Sequence, residues 1–567
     1  MAFDIKKHKD QLLFAPLGGS GEIGLNMNMY HLNGKWLMVD FGAGFAEDFL
    51  PGVDMILPDI RFIEEHKPDI VGLVLTHAHE DHLGAITYLW EYFDCPIYAT
   101  PFTAAFLKEK IADSDLRKKP KIIEVKPNST FQVGEFGIEM VQITHSVPEM
   151  NAVMIRTPYG NIFHSGDWKL DHSPMIGEAT DQERIKRYGD EGILAYVGDS
   201  TNVFSPGWSG SEGDLRESLI SLIADCKQMV LVTTFASNVA RIESIVRAAE
   251  ACGRRVVLAG RSLWRIARAA QQSGYLTDMK HPFMDELHVD DVPRDKLLII
   301  ATGCQGEPMA AVNKIVTATH RSIRIKPGDT VLFSSKIIPG NEKRILRLFN
   351  QFVKLGAEIL TEKNAFVHVS GHPNRDELQR MYELARPRIA IPVHGEEAHM
   401  HEHALLAKSW GVPHVIQVTN GDVIKLAPGE PQKISRIESG ILAIDGKLLL
   451  PPDSHIMSMR RKMRREGVII LVLVIEHGEL IIAPSILTPG VLDPQVDREL
   501  IRAMEEEVEE ALEQSRASSK KGRPGERQEQ VARAAIRRII RSEIGKNPPI
   551  EVIIRDVTPV QQAKHRR

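Results

Sequence analysis

The stretch Val71-Gly-Leu-Val-Leu-Thr-His-Ala-His-Glu-Asp-His-Leu-Gly84 runs from an apolar strand directly into four metal-ligating side chains. An unbroken apolar run such as 71–75 reads as a strand buried on both faces. His77 and His79, two residues apart where the chain leaves the sheet, can point the same way, and Asp81 and His82 fall where the next helix begins. Three histidines and an aspartate within six residues have no packing purpose in a buried turn, where each would need a polar partner. Imidazole nitrogen with carboxylate oxygen suits zinc or manganese, and ligands in excess of one tetrahedral ion point to two ions side by side.

At 567 residues, 43% of them hydrophobic and 26% charged, the chain has the make-up of a globular protein of several domains. Cys95, Cys226, Cys252 and Cys304 form no CxxC pair and outline no disulfide framework, which fits a reducing compartment. The first eight residues hold no apolar signal region, and the longest purely apolar run, 468–475, is too short to cross a bilayer. The expectation is a cytoplasmic protein without a membrane partner.

The 70 Lys and Arg against 75 Asp and Glu leave a net charge of -5, which does not announce a nucleic-acid binder. Yet Arg460-Arg-Lys-Met-Arg-Arg465 is a basic knot, and 516–567 is enriched in Arg and Lys. Basic runs are usually solvated faces or linkers, so the knot alone does not establish RNA contact.

Short strands separated by Gly and Asp turns are expected at 36–39, 71–75, 138–143, 152–156 and 161–163, with helices after His82 and at 102–111. From about Ser211 the rhythm becomes strand, helix, strand, helix: 229–233, 238–252, 255–258, 263–273, then strands at 297–301 and 330–334. That is a parallel sheet with crossover helices. The first style returns near His368, with 388–394 another buried strand, so the second domain is inserted into the first. The expected boundaries are 1–210 and 366–450 for the split domain, 211–365 for the insertion, 451–466 for a linker holding the basic knot, and 467–567 for a terminal α/β unit. That unit reads as strands at 468–475, 479–484 and 550–555, helices at 493–514 and 526–544, and a mobile loop at 515–525.

Further ligands should come from other strand ends, where open α/β architectures place their chemistry. His145 ends one apolar run, Asp167 sits in Phe163-His-Ser-Gly-Asp, and His394 ends Ile389-Ala-Ile-Pro-Val. Together they assign His77, His79 and His145 to one ion, Asp81, His82 and His394 to the other, and Asp167 to a bridge. Paired ions of this kind can activate water and clamp a displacement at phosphorus.

With these ligands in place the chain resembles the ribonuclease J family, of the β-CASP branch of the metallo-β-lactamase superfamily. The resemblance rests on Leu17-Gly-Gly-Ser-Gly-Glu-Ile-Gly24, Asp40-Phe-Gly42, the His77 to His82 motif, His145-Ser-Val-Pro-Glu149 and Ser165-Gly-Asp167. It also rests on Gly198-Asp-Ser-Thr-Asn202, Thr233-Thr-Phe-Ala-Ser-Asn238, His368-Val-Ser-Gly-His372 and Pro392-Val-His-Gly-Glu396. It implies an αββα metallo-β-lactamase sandwich with an inserted β-CASP domain and a small C-terminal domain. The metal motif marks only the superfamily; its combination with the insertion and the last motifs marks the nucleic-acid-cleaving branch.

The resemblance implies that Asp199 and His372, with Asp81, carry catalysis, the first two shuttling a proton to the departing 3′ oxygen. His368, Val369, Ser370, Gly371 and His372 would form an anion cradle for an RNA phosphate, to which Ser237 and Asn238 could add donors unless they only cap a helix. Asp40 would orient a ligand, and His164 would pack behind the site. The cofactors implied are two divalent ions, zinc first with manganese or magnesium as alternatives, plus structural calcium near Gly52, Asp54 and Asp445.

The implied activity is a metal-dependent ribonuclease that attacks 5′-to-3′ from 5′-monophosphate ends of single-stranded RNA and also cuts internally, in RNA maturation and mRNA decay. Homodimers or homotetramers through the C-terminal domain are part of the same implication. The alternative is a small-molecule ester or lactone hydrolase on the same scaffold, against which the inserted domain argues. A non-catalytic scaffold is weakened because no ligand position is lost.

Overall fold

The computed structural model describes residues 5–517 and 524–558. The chain forms two compact units, Met1–Phe45 with Ile56–Ile441, and Ala46–Met55 with Leu442–Arg567.

In the first unit, an eight-stranded sheet runs in the order Gln432–Arg436, Asp422–Ala427, Leu12–Gly18, Met27–Leu32, Lys35–Val39, Ile70–Val74, Ile97–Ala99, Ile122–Glu124. A seven-stranded sheet runs Thr130–Val133, Phe136–Gln142, Asn151–Thr157, Gly160–His164, Ile193–Asp199, Ile389–Val393, His414–Val415. Leu12, Phe14, Leu37 and Val74 of one sheet and Phe136, Ile138, Val153 and Ile391 of the other close a common core. Alternation along Asn151–Thr157 sends Val153 and Ile155 into that core and Ala152 and Met154 to the opposite face. There Ile185 and Tyr188 of helix Gln182–Glu191, Leu378 and Met381 of Arg375–Ala385, and Ala407 of Glu397–Ser409 cover them. Each large aliphatic side chain buried this way stabilises the fold by about 1.5–3 kcal/mol. A strand covered on both faces has no polar side, so it reads as an unbroken apolar run.

Strand direction positions the site. Gly160–His164, Ile193–Asp199 and Ile389–Val393 are mutually parallel, and Phe136–Gln142 joins them through an antiparallel neighbour, Asn151–Thr157, on the same heading. The segments holding His145, Asp167, Asp199 and His394 therefore leave one edge of one sheet.

The insertion is a six-stranded sheet in the order Met284–Asp285, Arg255–Ala259, Leu297–Ala301, Val230–Thr233, Thr330–Phe333, Glu358–Leu360, parallel at every pairing. Crossover helices Val239–Ala251 and Arg261–Gln272 follow its strands as the sequence rhythm predicts.

In the second unit, Ile469–Glu476 lies between Glu479–Leu487, antiparallel, and Ile550–Asp556, parallel. Met504, Val508 and Leu512 of Arg498–Ala517 and Ala532, Ile536 and Ile540 of Pro524–Glu543 pack on Ile469, Leu471 and Leu473. The stretch 515–525 read as a mobile loop lies largely outside the described residues, and the helices on either side reach Ala517 and Pro524. Within the stretch read as a linker the chain forms a helix, His455–Glu466, opened by Ser454, whose hydroxyl accepts from the Met457 N–H, and closed by Gly467 at φ 77°. No described helix is long and apolar enough to cross a membrane.

Candidate metal centre and catalytic cleft

Strand Ile70–Val74 leads through Leu75 to Thr76, and two short helices, Glu80–Leu83 and Ile86–Leu89, follow in place of one continuous helix. Gly42 lets the chain pass against the ligand turn: a Cβ there would sit 1.7 Å from the Asp81 carbonyl oxygen. The turn is braced from below by Asp40, buried and held at φ 63°. Its carboxylate accepts hydrogen bonds from the Thr76 N–H and hydroxyl, both 2.8 Å, and from His82 Nδ1, 2.7 Å. His82 Nε2 then faces Asp167 at 3.2 Å and Asp81 at 3.5 Å, with the Asn26 amide nitrogen also 3.1 Å away; an outer carboxylate fixes an imidazole in this way. His164 lies behind, with Nδ1 2.8 Å from the Tyr30 hydroxyl, and burial holds it down at about 4.

Asp167 is common to three quartets, two of which hold the residues assigned to metal from the sequence and the third of which is Asp167, Asp199, His372 and His394. Donor atoms of His77, His79, His145 and Asp167 all lie within 4.8 Å of one another, and so do those of Asp81, His82, Asp167 and His394. Every residue assigned to metal from the sequence is in one of them. Asp167 approaches His82 Nε2 at 3.2 Å, His394 Nδ1 at 3.7 Å, His77 Nε2 at 3.8 Å and His145 Nε2 at 3.9 Å. Asp81 approaches His394 Nε2 at 3.1 Å and His82 Nε2 at 3.5 Å, and His79 Nδ1 lies 3.3 Å from His145 Nε2.

These residues fit divalent ions on their own chemistry. His77 Nε2 and Asp167 Oδ1 are buried and have no hydrogen-bond partner among the described residues, which costs on the order of 1–3 kcal/mol each unless something else satisfies them. Burial first, then neighbouring imidazoles, hold His77 and His145 far below the usual histidine range; burial also brings His79 down to about 4. Neutral rings present lone pairs. In the second quartet burial acts the same way on His82 and His394, but Asp167 and its neighbouring carboxylates outweigh it and raise both well above the usual range, so those two rings must give up a proton to bind a metal. Burial opposes charge on Asp81 and Asp167 too, but the surrounding histidines outweigh it and keep both carboxyls well below their usual range.

Asp199 and His372 stand beside the quartets. The His372 Nδ1 hydrogen bond to Asp199 is 2.7 Å, and the ring lies 4.0 Å from Asp167. Burial works against protonation of His372, but Asp199 and then Asp167 prevail and raise it above the ordinary range. Thr201 Oγ1, 2.8 Å from His394 Nδ1, was not picked out by sequence reasoning, although it lies two residues from Asp199 in a motif that was.

The loop 368–372 is held from both ends. Asn202 Nδ2 donates to Ser370 Oγ at 2.7 Å and to the His372 carbonyl at 3.2 Å. Arg241, fully buried, pairs twice with Glu212 at 2.7 and 3.1 Å and donates to the Val369 carbonyl at 3.1 Å and to His368 Nδ1 at 3.3 Å. Nothing local in the sequence marks this pair, because its partners are 29 and about 128 residues away. Burial, then Arg241 and Lys336, keep His368 neutral. Asn238 caps helix Val239–Ala251, its Oδ1 accepting from the Arg241 N–H at 2.8 Å, so that oxygen is committed to the helix. Next to it the Ala240 N–H donates to the Ser146 carbonyl at 3.1 Å, which brings Ser237 and Asn238 to the metal loops.

Gly371 packs directly on His145. The His145 Nδ1–H donates to its carbonyl at 2.6 Å, and a Cβ at 371 would sit 2.8 Å from His145 Cε1. Gly371→Ala is therefore expected to turn the His145 ring and weaken metal binding by about 10–100-fold, read by competition with a chelating indicator. Unchanged affinity would separate the loop from the metal centre.

The calcium expectation meets a different arrangement. Asp445 accepts a hydrogen bond from Arg460 at 2.7 Å, and a Cβ on Gly52 would lie 3.7 Å from the same guanidinium. A fixed cation already neutralises the carboxylate that was to bind one.

Comparison with known proteins agrees along the whole chain. The beta-lactamase superfamily domain matches residues 36–185, the ribonuclease J beta-CASP domain 227–352, the Zn-dependent metallo-hydrolase RNA specificity domain 356–417, and the ribonuclease J C-terminal domain 455–557. Ribonuclease J of Sinorhizobium meliloti is 40% identical over 559 residues, covering 97% of this chain and 98% of that protein. The Thermus thermophilus enzyme is 36% identical over 82% of each, and that of Synechocystis 31% identical over 97% of this chain and 87% of its own. A crystal structure of a protein of unknown function from Enterococcus faecalis V583, 17% identical, shares the fold at a TM-score of 0.52 across 73% of this chain and all of its own. With a two-quartet site for divalent metal, an inserted domain and a C-terminal domain each matched in place, the chain belongs to the ribonuclease J family of hydrolytic ribonucleases.

Proposed function

We propose that this protein degrades single-stranded RNA 5′-to-3′ from 5′-monophosphate ends and also cuts internally, leaving 5′-phosphate and 3′-hydroxyl products. The observation that carries this reading is the meeting of two quartets on Asp167 beside the Asp199–His372 pair and the braced 368–372 loop. His77, His79, His145 and Asp167 would hold one ion, and Asp81, His82, His394 and Asp167 the other. Two divalent ions held there supply an activated water and charge stabilisation at phosphorus, and the nitrogen-rich set suits zinc, with manganese or magnesium as alternatives.

The chain's own groups complete the reaction. Asp199 orients His372 so that its other nitrogen can deliver a proton to the departing 3′ oxygen. His368, Ser370, Ser237 and the backbone N–H groups of 368–372 receive the substrate phosphate, and the Arg241–Glu212 pair keeps that loop from collapsing. The domain boundaries given above, assembly through the C-terminal domain, and roles in RNA maturation and decay in the cytoplasm belong to the same reading.

Matched RNAs and DNAs bearing a 5′-monophosphate, triphosphate or hydroxyl, together with a simple carboxylic ester, test it. Stepwise mononucleotide release should favour monophosphorylated RNA over hydroxyl-ended RNA by about 10–100-fold, since a missing phosphate leaves donors unpaired at roughly 1–3 kcal/mol. Equal turnover of all ends would remove the phosphate cradle, and turnover of the ester alone would favour the small-molecule hydrolase.

A further inference from the structure

The basic knot plays no part in the site described above. In the second unit its helix, His455–Glu466, lines a groove of about 940 Å³ together with helix Pro524–Glu543 and the segments around Phe49 and Pro548. Six cations face this groove: Arg461, Lys462, Arg464, Arg465, Arg533 and Arg537. Carboxylates are present too: Asp48 lines the groove, Arg465 approaches Glu466 at 3.9 Å, and Arg533 approaches Glu529 at 2.8 Å and Glu551 at 3.8 Å. The other four have no carboxylate partner among the described residues. Arg461 instead donates to the carbonyls of Pro452, 3.0 Å, and Phe49, 3.5 Å, and Arg464 to that of Asp48, 2.9 Å. Hydrogen bonds to neutral carbonyls fix a guanidinium in place without cancelling its charge.

An aromatic ring completes the surface. Phe49 lines the groove and is 44% exposed, on a loop whose backbone the two arginines hold. Fixed, un-neutralised cations tracking a groove with an exposed aromatic face are what a single-stranded nucleic acid requires: phosphates pair with the cations and a base stacks on the ring. A protein with a net charge of -5 gains nothing in solubility from concentrating positive charge at one place. An acidic protein helix would match the charge but would leave the ring without a use.

We propose that this groove is a second RNA-binding site, holding the phosphodiester backbone through Arg461, Lys462, Arg464 and Arg537 and one base on Phe49. It rests on RNA being the substrate and is independent of the catalytic roles assigned above.

The test uses the full chain and a 5′-monophosphorylated 30-nucleotide uridine oligomer, with bis(p-nitrophenyl) phosphate as a substrate too small to need a backbone site. Lys462→Gln with Arg537→Gln should weaken 30-mer binding about tenfold and make the plot of log affinity against log salt shallower by about 1.4, two single-strand phosphate contacts. Phe49→Ala should weaken it about tenfold with no change in that slope. Hydrolysis of the small phosphodiester should stay at the wild-type rate in both. Wild-type 30-mer affinity and slope in the double variant would overturn the site while leaving the ribonuclease assignment intact. A change of association state in sedimentation with RNA affinity untouched would make the groove a protein interface and overturn it as well. A fall in small-substrate hydrolysis equal to the loss of RNA binding would also count against it, because the effect would then be general.

Discussion

Asp167→Asn is expected to lower RNA hydrolysis by about a thousandfold or more and to cut bound divalent metal from about two ions per chain to one or fewer. One buried carboxylate stands within 4.0 Å of five imidazoles, those of His77, His82, His145, His372 and His394. Asn keeps its shape and removes its charge. The histidines and Asp81 remain, but both quartets lose the anionic carboxylate they share and keep only a neutral amide oxygen in its place. Asp81→Ala provides the contrast: it belongs to one quartet only, so metal content should fall by about one ion while the other is retained. Elemental analysis of the two variants beside the parent reads both outcomes. Full metal content in Asp167→Asn would mean that the quartets are independent sites and that the bridge does not exist.

How much of this centre could be read in advance follows from how far each residue's partners lie along the chain. The residues that meet in the two quartets were legible because they follow buried strands at their carboxyl ends, Asp81 and His82 in the short helix Glu80–Leu83 that comes next. Such strands are conspicuous for the reason seen in Asn151–Thr157, whose two faces enter two different cores. Asp40 was legible as a ligand's support because its motif ends a strand, and it does hold His82. Asn238 was ambiguous between cap and substrate donor; its oxygen went to the cap, which a helix N-terminus always needs. The brace on the 368–372 loop was not legible. Arg241 reads as one more polar residue of an amphipathic helix, and only the folded chain brings Glu212 and the Val369 carbonyl to a guanidinium with no access to water. A buried charge of that kind is tolerated only when fully paired, so its visibility depends entirely on tertiary structure. The helix at the basic knot was missed for the opposite reason. Its Ser454 cap and Gly467 stop are local signals, but a run of charges drew attention away from them.

His372→Ala and Asp199→Asn are expected to reduce kcat on RNA by about 10²–10⁴-fold while metal content and KM stay within about twofold. Asp199 is buried and His372 half-buried, their contact is 2.7 Å, and the carboxylate raises the imidazole above the ordinary histidine range against the pull of desolvation. If the two act as one device, the double variant should be no slower than His372→Ala alone, because removing the orienting group costs nothing once the oriented ring is gone. A structural role would instead give additive losses. The decisive substrate replaces the scissile 3′ oxygen with sulfur, a leaving group that needs no proton. On that RNA the deficit of His372→Ala should shrink to less than about tenfold. His372 also shares a cluster with Asp167, Asp199 and His394, so a ligand role is the competing account. A deficit that persists in full on the sulfur substrate, accompanied by loss of metal, would move His372 from proton delivery to metal binding and leave Asp199 as its support.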